Sequence, residues 1–395
     1  MVGINVINQM NEMKKILSYS KNVGFFFGAG TSCAFGLPNI INLTTETKAR
    51  LAAESIVTFA KTEDLVKDLT KNKNVSVENI LNHVRQIRDI TRGRNDLLYY
   101  GISGEHAEKL DIDICEKIFD IINEKENAAD ITDVRRFFAW YDSTNRNYVK
   151  EIFTTNYDML LEMAMEANYI PYFDGFTGSY EPFFNPESIE CFPKVSDSTG
   201  KWIRLWKIHG SLNWSLKPAT ATRSERIIRE GKFDKPQNEL MIYPSKEKYN
   251  LSRKEPYIAY FDRLKNYLLQ GELLFICSGY SFSDQHINDI IFNALHQNNR
   301  LYIAVFCFDD EQVVNMEKYA AAYLNLCVMG PTKAISNGRL CDWNFDDSED
   351  EKDGCEFYWD ETKNEFILGD FKKLIDFLIE NSGKKSSIEE VLNAR

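Results

Sequence analysis

The residues in this chain with the clearest chemical potential sit in one short run, Asn22-Val23-Gly24-Phe25-Phe26-Phe27-Gly28-Ala29-Gly30-Thr31-Ser32. It reads as an apolar strand that feeds directly into a glycine-rich turn. Gly28 and Gly30 can take backbone angles denied to other residues and let a ligand approach the main chain closely. Thr31 and Ser32 offer hydroxyls, and the backbone N–H groups of such a turn suit a phosphate. The chemistry implied is binding of a nucleotide or dinucleotide near residue 30. The third glycine of the usual dinucleotide fingerprint is absent, since Cys33 stands there. A plain strand-to-helix turn, with Thr31 and Ser32 capping the next helix, is the competing reading.

Three more polar clusters follow predicted strands. They are Thr154-Thr155-Asn156-Tyr157-Asp158 after a strand at 148–155, His209-Gly210-Ser211 after one at 201–208, and Ser278-Gly279-Tyr280-Ser281-Phe282-Ser283-Asp284 after one at 273–278. In open parallel sheets, ligands collect beyond the carboxyl ends of the strands. Packing alone does not predict polar residues at the same end of successive strands. Each residue also has a structural alternative. Asn156 could N-cap a helix at 157–167, and Asp158 in its first turn would meet the helix dipole. His209 could be a packed turn histidine, and His286 and His296 fall on an amphipathic helix.

The elements that must position these clusters alternate. Apolar residues at helical spacing mark 4–18. After the strand at 22–27 and Pro38 the pattern stays helical to about residue 142. Further strands are predicted at 239–243 and 301–308, with helices at 256–270, 284–297 and 310–324. Strands alternating with helices of this length indicate βαβ units and a parallel sheet. The expected fold class is therefore α/β, a Rossmann-like, mostly parallel sheet with a large helical insertion and a small C-terminal hairpin-plus-helix region. The expected division is a catalytic domain of residues 1–40 and 146–330, an insertion at 41–145 and a C-terminal region at 331–395. In the last region we expect a hairpin over 340–368 with Asp360-Glu361-Thr362-Lys363 near its tip, a helix at 369–381 and a loose polar tail from 383.

Composition narrows the function classes. No apolar run approaches the roughly 20 residues needed to span a bilayer. The first 20 residues, interrupted by Asn5, Asn8, Asn11, Glu12 and Lys14, lack the order of a signal peptide. A cytoplasmic protein is expected. The eight cysteines lie far apart with no C-x-x-C pair, so no zinc site is expected. A net charge of −12 argues against nucleic-acid binding by the surface as a whole. Two local basic patches remain, Arg85/Arg88/Arg92/Arg94 and Arg223/Arg226/Arg229/Lys232, and a solvated face explains each more simply. The acidic stretch Asp346 to Asp353 reads as a surface loop. Asp309-Asp310-Glu311 keeps a nuclease on the page, although helix capping accounts for those residues.

The four clusters, in this order, resemble the sirtuin family. The matching motifs are Gly-Ala-Gly at 28–30, Thr-x-Asn-x-Asp at 154–158, His-Gly-Ser at 209–211 and Gly-x-Ser-Phe at 279–282. The resemblance implies a Rossmann-like domain that binds NAD+ and cleaves its nicotinamide–ribose bond. Carried over by position, Gly28, Ala29, Gly30, Thr31 and Ser32 would surround the pyrophosphate. Asn156 and Asp158 would line the nicotinamide-ribose pocket, His209 would be the acid/base residue, and Gly279 and Ser281 would hold the adenosine half. The chemistry is consistent with these roles. Cleavage of an N-glycosidic bond passes through an oxocarbenium-like ribose. A carboxamide such as Asn156 can hold water with a donor and an acceptor on one arm. A histidine titrates near operating pH.

The chain departs from the family's protein deacetylases. It lacks their two zinc-binding Cys pairs, has Thr155 where they carry Gln, and has Leu37-Pro38-Asn39-Ile40-Ile41 where they carry Ile-Pro-Asp-Phe-Arg. The pattern is more similar to bacterial sirtuin-like proteins of anti-phage defence, in which water accepts the ADP-ribose and NAD+ is depleted. In length and architecture it is most similar to the stand-alone partner of a HerA-type hexameric ATPase. That resemblance implies a homo-oligomer docked on the ATPase ring. The expected activity is NAD+ glycohydrolase. A protein deacylase or ADP-ribosyltransferase, and a module that binds NAD+ or ADP-ribose without turnover, are the alternatives.

Overall fold

The computed structural model describes residues 3–19, 22–91, 94, 96–144, 148–190, 201–217, 219–221, 224–231, 239–242, 255–345, 354–383 and 385–394. Seven parallel strands form its centre. In chain order they are β1 (Asn22–Phe27), β2 (Glu151–Thr154), β3 (Tyr172–Phe173), β4 (Ile203–Lys207), β5 (Leu273–Ser278), β6 (Leu301–Phe306) and β7 (Leu326–Met329). Their order across the sheet is β7-β6-β5-β1-β2-β4-β3. From β1 the chain builds outward on one side through β2, and later returns to the other side through β5. The β1/β5 boundary is therefore a topological switch point, where loops diverge and leave a crevice.

These strands are near-continuous apolar runs because both faces of the sheet are covered. Alternation along a strand sends neighbours to opposite faces. Phe25 and Phe27 enter one core with Ile152, Leu274 and Ile276, whereas Phe26 enters the other with Phe153, Phe275 and Cys277. The first core is closed by the helices Val6–Tyr19, Gly104–Ala128, Thr132–Ser143 and Phe371–Glu380; the second by Tyr257–Leu268, Gln285–Gln297 and Asp310–Ala320. Phe25, Phe26 and Phe27 are all fully buried. At roughly 1.5–3 kcal/mol for each buried aromatic or aliphatic side chain, this strand firmly anchors the turn that follows it.

The fold is thus mixed α/β around a parallel-dominated sheet, as expected. Helices Ile40–Arg50, Ala53–Thr70, Val77–Thr91, Gly104–Ala128 and Thr132–Ser143 occupy the stretch between β1 and β2, together with a small hairpin of Leu98–Tyr99 and Ile102–Ser103. Both basic patches have acidic partners. Arg85 and Arg88 share the buried Asp111, Arg226 pairs with Glu181, and Arg229 with Asp174. Arg94 lies near Asp96. Arg92, Arg223 and Lys232 lie outside the described residues, as does the acidic stretch 346–353.

Several elements differ from expectation. The strand predicted at 239–243 does not join the parallel sheet. Glu239–Ile242 pairs antiparallel with Gly210–Lys217 in a separate five-stranded sheet. Gly210–Lys217 was itself missed, although Leu212, Trp214 and Leu216 alternate with Ser211, Asn213 and Ser215. A hairpin of Lys333–Ser336 and Arg339–Asn344 extends the large sheet. Its turn, Asn337-Gly338, has positive φ at both residues, as an Asn-Gly hairpin requires. The hairpin expected over 340–368 is smaller, Trp359–Asp360 with Glu365–Phe366. The tail is not loose: Lys385–Ala394 is a helix pinned by the buried Ile388.

Candidate functional site

The sheet order brings the four polar clusters together. They follow β5, β1, β2 and β4, which are four adjacent parallel strands. All therefore emerge at one edge of the sheet, on and beside the switch point.

On the β1/β5 side the walls are main chain. Gly28 N–H donates to the Ser278 carbonyl at 3.0 Å, and Gly30 N–H to the Gly279 carbonyl at 2.9 Å. A Cβ on Gly28 would lie 2.4 Å from the Gly279 oxygen, and one on Gly30 would lie 2.6 Å from Gly279 Cα. Neither Gly28 nor Gly30 has positive φ. Their requirement for glycine is therefore steric, set by a loop some 250 residues away in sequence, rather than conformational. Gly279 needs both properties: its φ is +66° and a Cβ there would meet Thr31 N at 2.4 Å. Ala29 and Gly30 are exposed at the mouth of the turn. Ser281 is exposed and donates to Ser283 Oγ at 3.1 Å; no hydrogen bond among the described residues joins its side chain to the rest of the cluster.

On the β2/β4 side the walls are side chains. Asn156 is buried and is not a helix cap, because the helix begins only at Leu160. Its Nδ2 lies 3.0 Å from the Gly28 carbonyl, 3.0 Å from Thr31 Oγ1 and 2.8 Å from Ser32 Oγ. The Gly28 carbonyl can only accept, so the amide nitrogen faces the glycine turn and Oδ1 is the atom left for a ligand or water. Thr31 and Ser32 also turn inward. Thr31 Oγ1 donates to the Gly28 carbonyl at 2.8 Å, and Ser32 Oγ to Asp158 Oδ2 at 2.6 Å. Their hydroxyls hold the turn together rather than reach out toward a phosphate. Asp158 Oδ1 accepts from Leu160 N–H at 3.3 Å, so part of its structural role stands as well.

Behind Asp158 lies a buried ionic group that sequence reasoning did not find. Lys207, at the end of β4 and only 2% exposed on its side chain, donates to the Asp158 carbonyl and to Glu162 Oε1, the latter at 2.8 Å. Glu126 Oε1 accepts from Met159 N–H at 2.6 Å. Burial, then the neighbouring Asp158 charge, push the Glu126 carboxyl up to about 8. Burial also raises Glu162, although Lys207 opposes it. A lysine closing an apolar strand was the only local signal for this group.

His209 sits where the chain leaves β4. Gly210, at φ +87°, turns it into the next strand. The turn is tied to the Asn156 segment, with Ile208 N–H on the Thr154 carbonyl at 2.8 Å and Leu212 N–H on the Tyr157 carbonyl at 2.9 Å. His209 Nε2 lies 2.9 Å from Asp284 Oδ2. Among the described residues no group of three His, Cys, Asp or Glu side chains could hold a metal ion, and no helix is long and apolar enough to cross a membrane.

A glycine turn at the switch point of a parallel sheet, faced by an inward carboxamide and a carboxylate-bound histidine, defines a nucleotide-binding α/β protein. Residues 150–328 match the family model of a SIR2-like domain. Three solved structures resemble the chain. A Sir2 homologue in complex with NAD shares 14% identity over 75% of this chain and 81% of its own, at a TM-score of 0.38. A Sir2 homologue variant with ADP-ribose shares 12% identity over 74% and 83%, at 0.37. A structure described for the mechanism and regulation of Sir2 enzymes shares 12% over 75% and 85%, at 0.35. No curated protein matches the chain by sequence.

Proposed function

We propose that the protein is an NAD+ glycohydrolase. The observation that carries this reading is the meeting of the glycine turn, Asn156 and His209 at the ends of four adjacent parallel strands. Strands lie about 4.8 Å apart, so these four ends extend over about 14 Å. That length suits an extended dinucleotide better than a compact ligand. The main chain at Ala29 and Gly30, with Gly28, Thr31 and Ser32 behind it, takes the pyrophosphate. Gly279 and Ser281 flank the adenosine half, and Asn156 and Asp158 the nicotinamide ribose.

In the reaction the bond from the anomeric carbon to the nicotinamide nitrogen breaks, and nicotinamide leaves with the electron pair. Water adds its oxygen to the same carbon. Asn156 Oδ1 accepts a hydrogen bond from that water, and His209 takes its proton. The cationic leaving group needs little acid assistance, so orientation and electrostatics supply most of the rate. In the cell the consequence is NAD+ depletion during phage infection. The protein acts as a homo-oligomer on a HerA-type ATPase. A route for gating exists: Glu126 and Glu78, both from the helices between β1 and β2, hold Met159 N–H and Tyr157 OH. A partner seated on those helices would act on the segment that carries Asn156.

HPLC of NAD+ incubated with the wild type, Asn156→Ala and His209→Ala, without peptide, tests the reading. Nicotinamide and ADP-ribose should appear with the wild type alone, or with the wild type once the ATPase is added. Release that needs an acetylated peptide would replace hydrolysis by deacylation. NAD+ bound but never cleaved, with both substitutions biologically silent, would leave a binding module.

A further inference from the structure

We infer that Asp284 is the positioning residue of His209, fixing its proton on Nε2 so that Nδ1 is the nitrogen that exchanges protons during catalysis. The functional part of this inference rests on the acid/base role proposed for His209. The geometry stands apart from it. Asp284 is buried, and its two oxygens serve two tasks. Oδ1 accepts from His286 N–H at 3.0 Å and caps the helix Gln285–Gln297. Oδ2 lies 2.9 Å from His209 Nε2. A carboxylate offers acceptors only, so the nitrogen facing it must carry the hydrogen. The same contact orients the ring and stabilises the imidazolium that forms when Nδ1 takes up a proton.

Asp284 is itself held rigidly. Tyr280 OH donates to Asn288 Oδ1 at 3.1 Å, and Asn288 Nδ2 donates to the Phe282 carbonyl at 2.7 Å. These contacts brace the loop between Gly279 and the helix cap. One loop thus packs its glycine against the turn at Gly30 and ends in the carboxylate that aims His209. Before a helical pattern an Asp reads as a cap, and this one is a cap, which is why its second oxygen escapes sequence reasoning.

The two tasks can be separated. Asp284→Ser keeps a capping oxygen but is too short to reach His209. Asp284→Asn keeps the cap through Oδ1 and turns Nδ2–H toward His209, which forces the proton to Nδ1. Both variants should unfold at temperatures close to the wild type and bind NAD+ within about threefold of it. For Asp284→Asn, kcat should fall about 10³- to 10⁴-fold, as when a triad carboxylate is amidated. The decisive readout is 15N NMR of labelled histidine, with the His209 signal assigned by its loss in His209→Ala. The wild type should show the Nε2–H tautomer and Asp284→Asn the Nδ1–H tautomer. A wild-type Nδ1–H signal, or a tautomer unmoved by Asp284→Asn, overturns the inference whether or not NAD+ is cleaved. A tautomer that moves in a protein that never releases nicotinamide upholds the Asp284–His209 pair and removes the hydrolase reading instead.

Discussion

The two sides of the cleft are built by different forces. On the β1/β5 side, Gly28, Gly30 and Gly279 bring two loops together backbone to backbone, at separations that exclude a single added carbon. On the β2/β4 side, Asn156, Asp158, Lys207, Glu162 and Glu126 form a buried polar group centred on one ammonium. The first side should respond to volume and ignore pH. The second should tolerate small changes of shape and respond strongly to charge. The difference separates the part that receives a ligand from the part through which the rest of the molecule can act on it.

The sharpest way to break this contrast is Lys207→Met. The substitution keeps most of the side-chain length and removes the charge, leaving Glu162 and the Asp158 carbonyl without their shared donor. Glu162 Oε2 is already buried with no hydrogen-bond partner, so the carboxyl has no other protein support. Removing one member of a buried ion pair costs about 3–5 kcal/mol. Urea unfolding should show a loss of that size. Adding Glu162→Leu should return much of it, because replacing both partners by apolar groups is often neutral. A double variant no more stable than Lys207→Met would mean that the lysine acts through packing.

Glu126 sharpens the contrast through pH. Its folded-state value of about 8 lies above that of an ordinary glutamate. Below the ordinary value both folded and unfolded states hold the proton. Between that value and about 8 the unfolded chain ionises first, so stability falls as pH rises through this window. Above about 8 the loss is complete. Glu126→Gln keeps an oxygen for Met159 N–H and removes the ionisation. At pH 8 it should be more stable than the wild type by about 2–4 kcal/mol as an upper bound, and the two should converge near pH 4. Thermal unfolding at stepped pH measures this. Parallel curves would place the pH sensitivity elsewhere in the acidic group.

How much of this was legible in the sequence depends on the range of the contacts. The four clusters could be found because each follows a strand directly, and the β1 run Val23-Gly24-Phe25-Phe26-Phe27 is a strong local signal. Their meeting follows from strand order, which alternating elements make readable. The reason for the glycines was not readable. Gly28 and Gly30 look like conformational requirements, but the constraint is Gly279, a tertiary neighbour. Glu126 and Lys207 carry no local mark, since a glutamate late in a long helix looks solvated until the fold buries it. The Asn337-Gly338 hairpin was readable and was missed. The final helix was hidden by its polar composition, and Ile388 alone reveals why it docks.

Gly279→Ala probes the contact side with the smallest expected effect on stability. The new Cβ would meet Thr31 N and the Gly30 main chain, so one loop must move. Overpacking of this kind costs about 1–3 kcal/mol, and the left-handed backbone adds about 1–2 kcal/mol. A control separates the two contributions. Gly271 has φ +61° and nothing within 4 Å of its Cβ position, so Gly271→Ala meets only the backbone cost. The difference in unfolding free energy between the variants is then the steric contact itself, and it should be the same at pH 6 and pH 9 because the clash involves main-chain atoms alone. Calorimetry should show weaker NAD+ binding for Gly279→Ala and unchanged binding for Gly271→Ala. Equal destabilisation with equal affinity would mean that the two loops separate easily, and that the glycines are needed for backbone conformation after all.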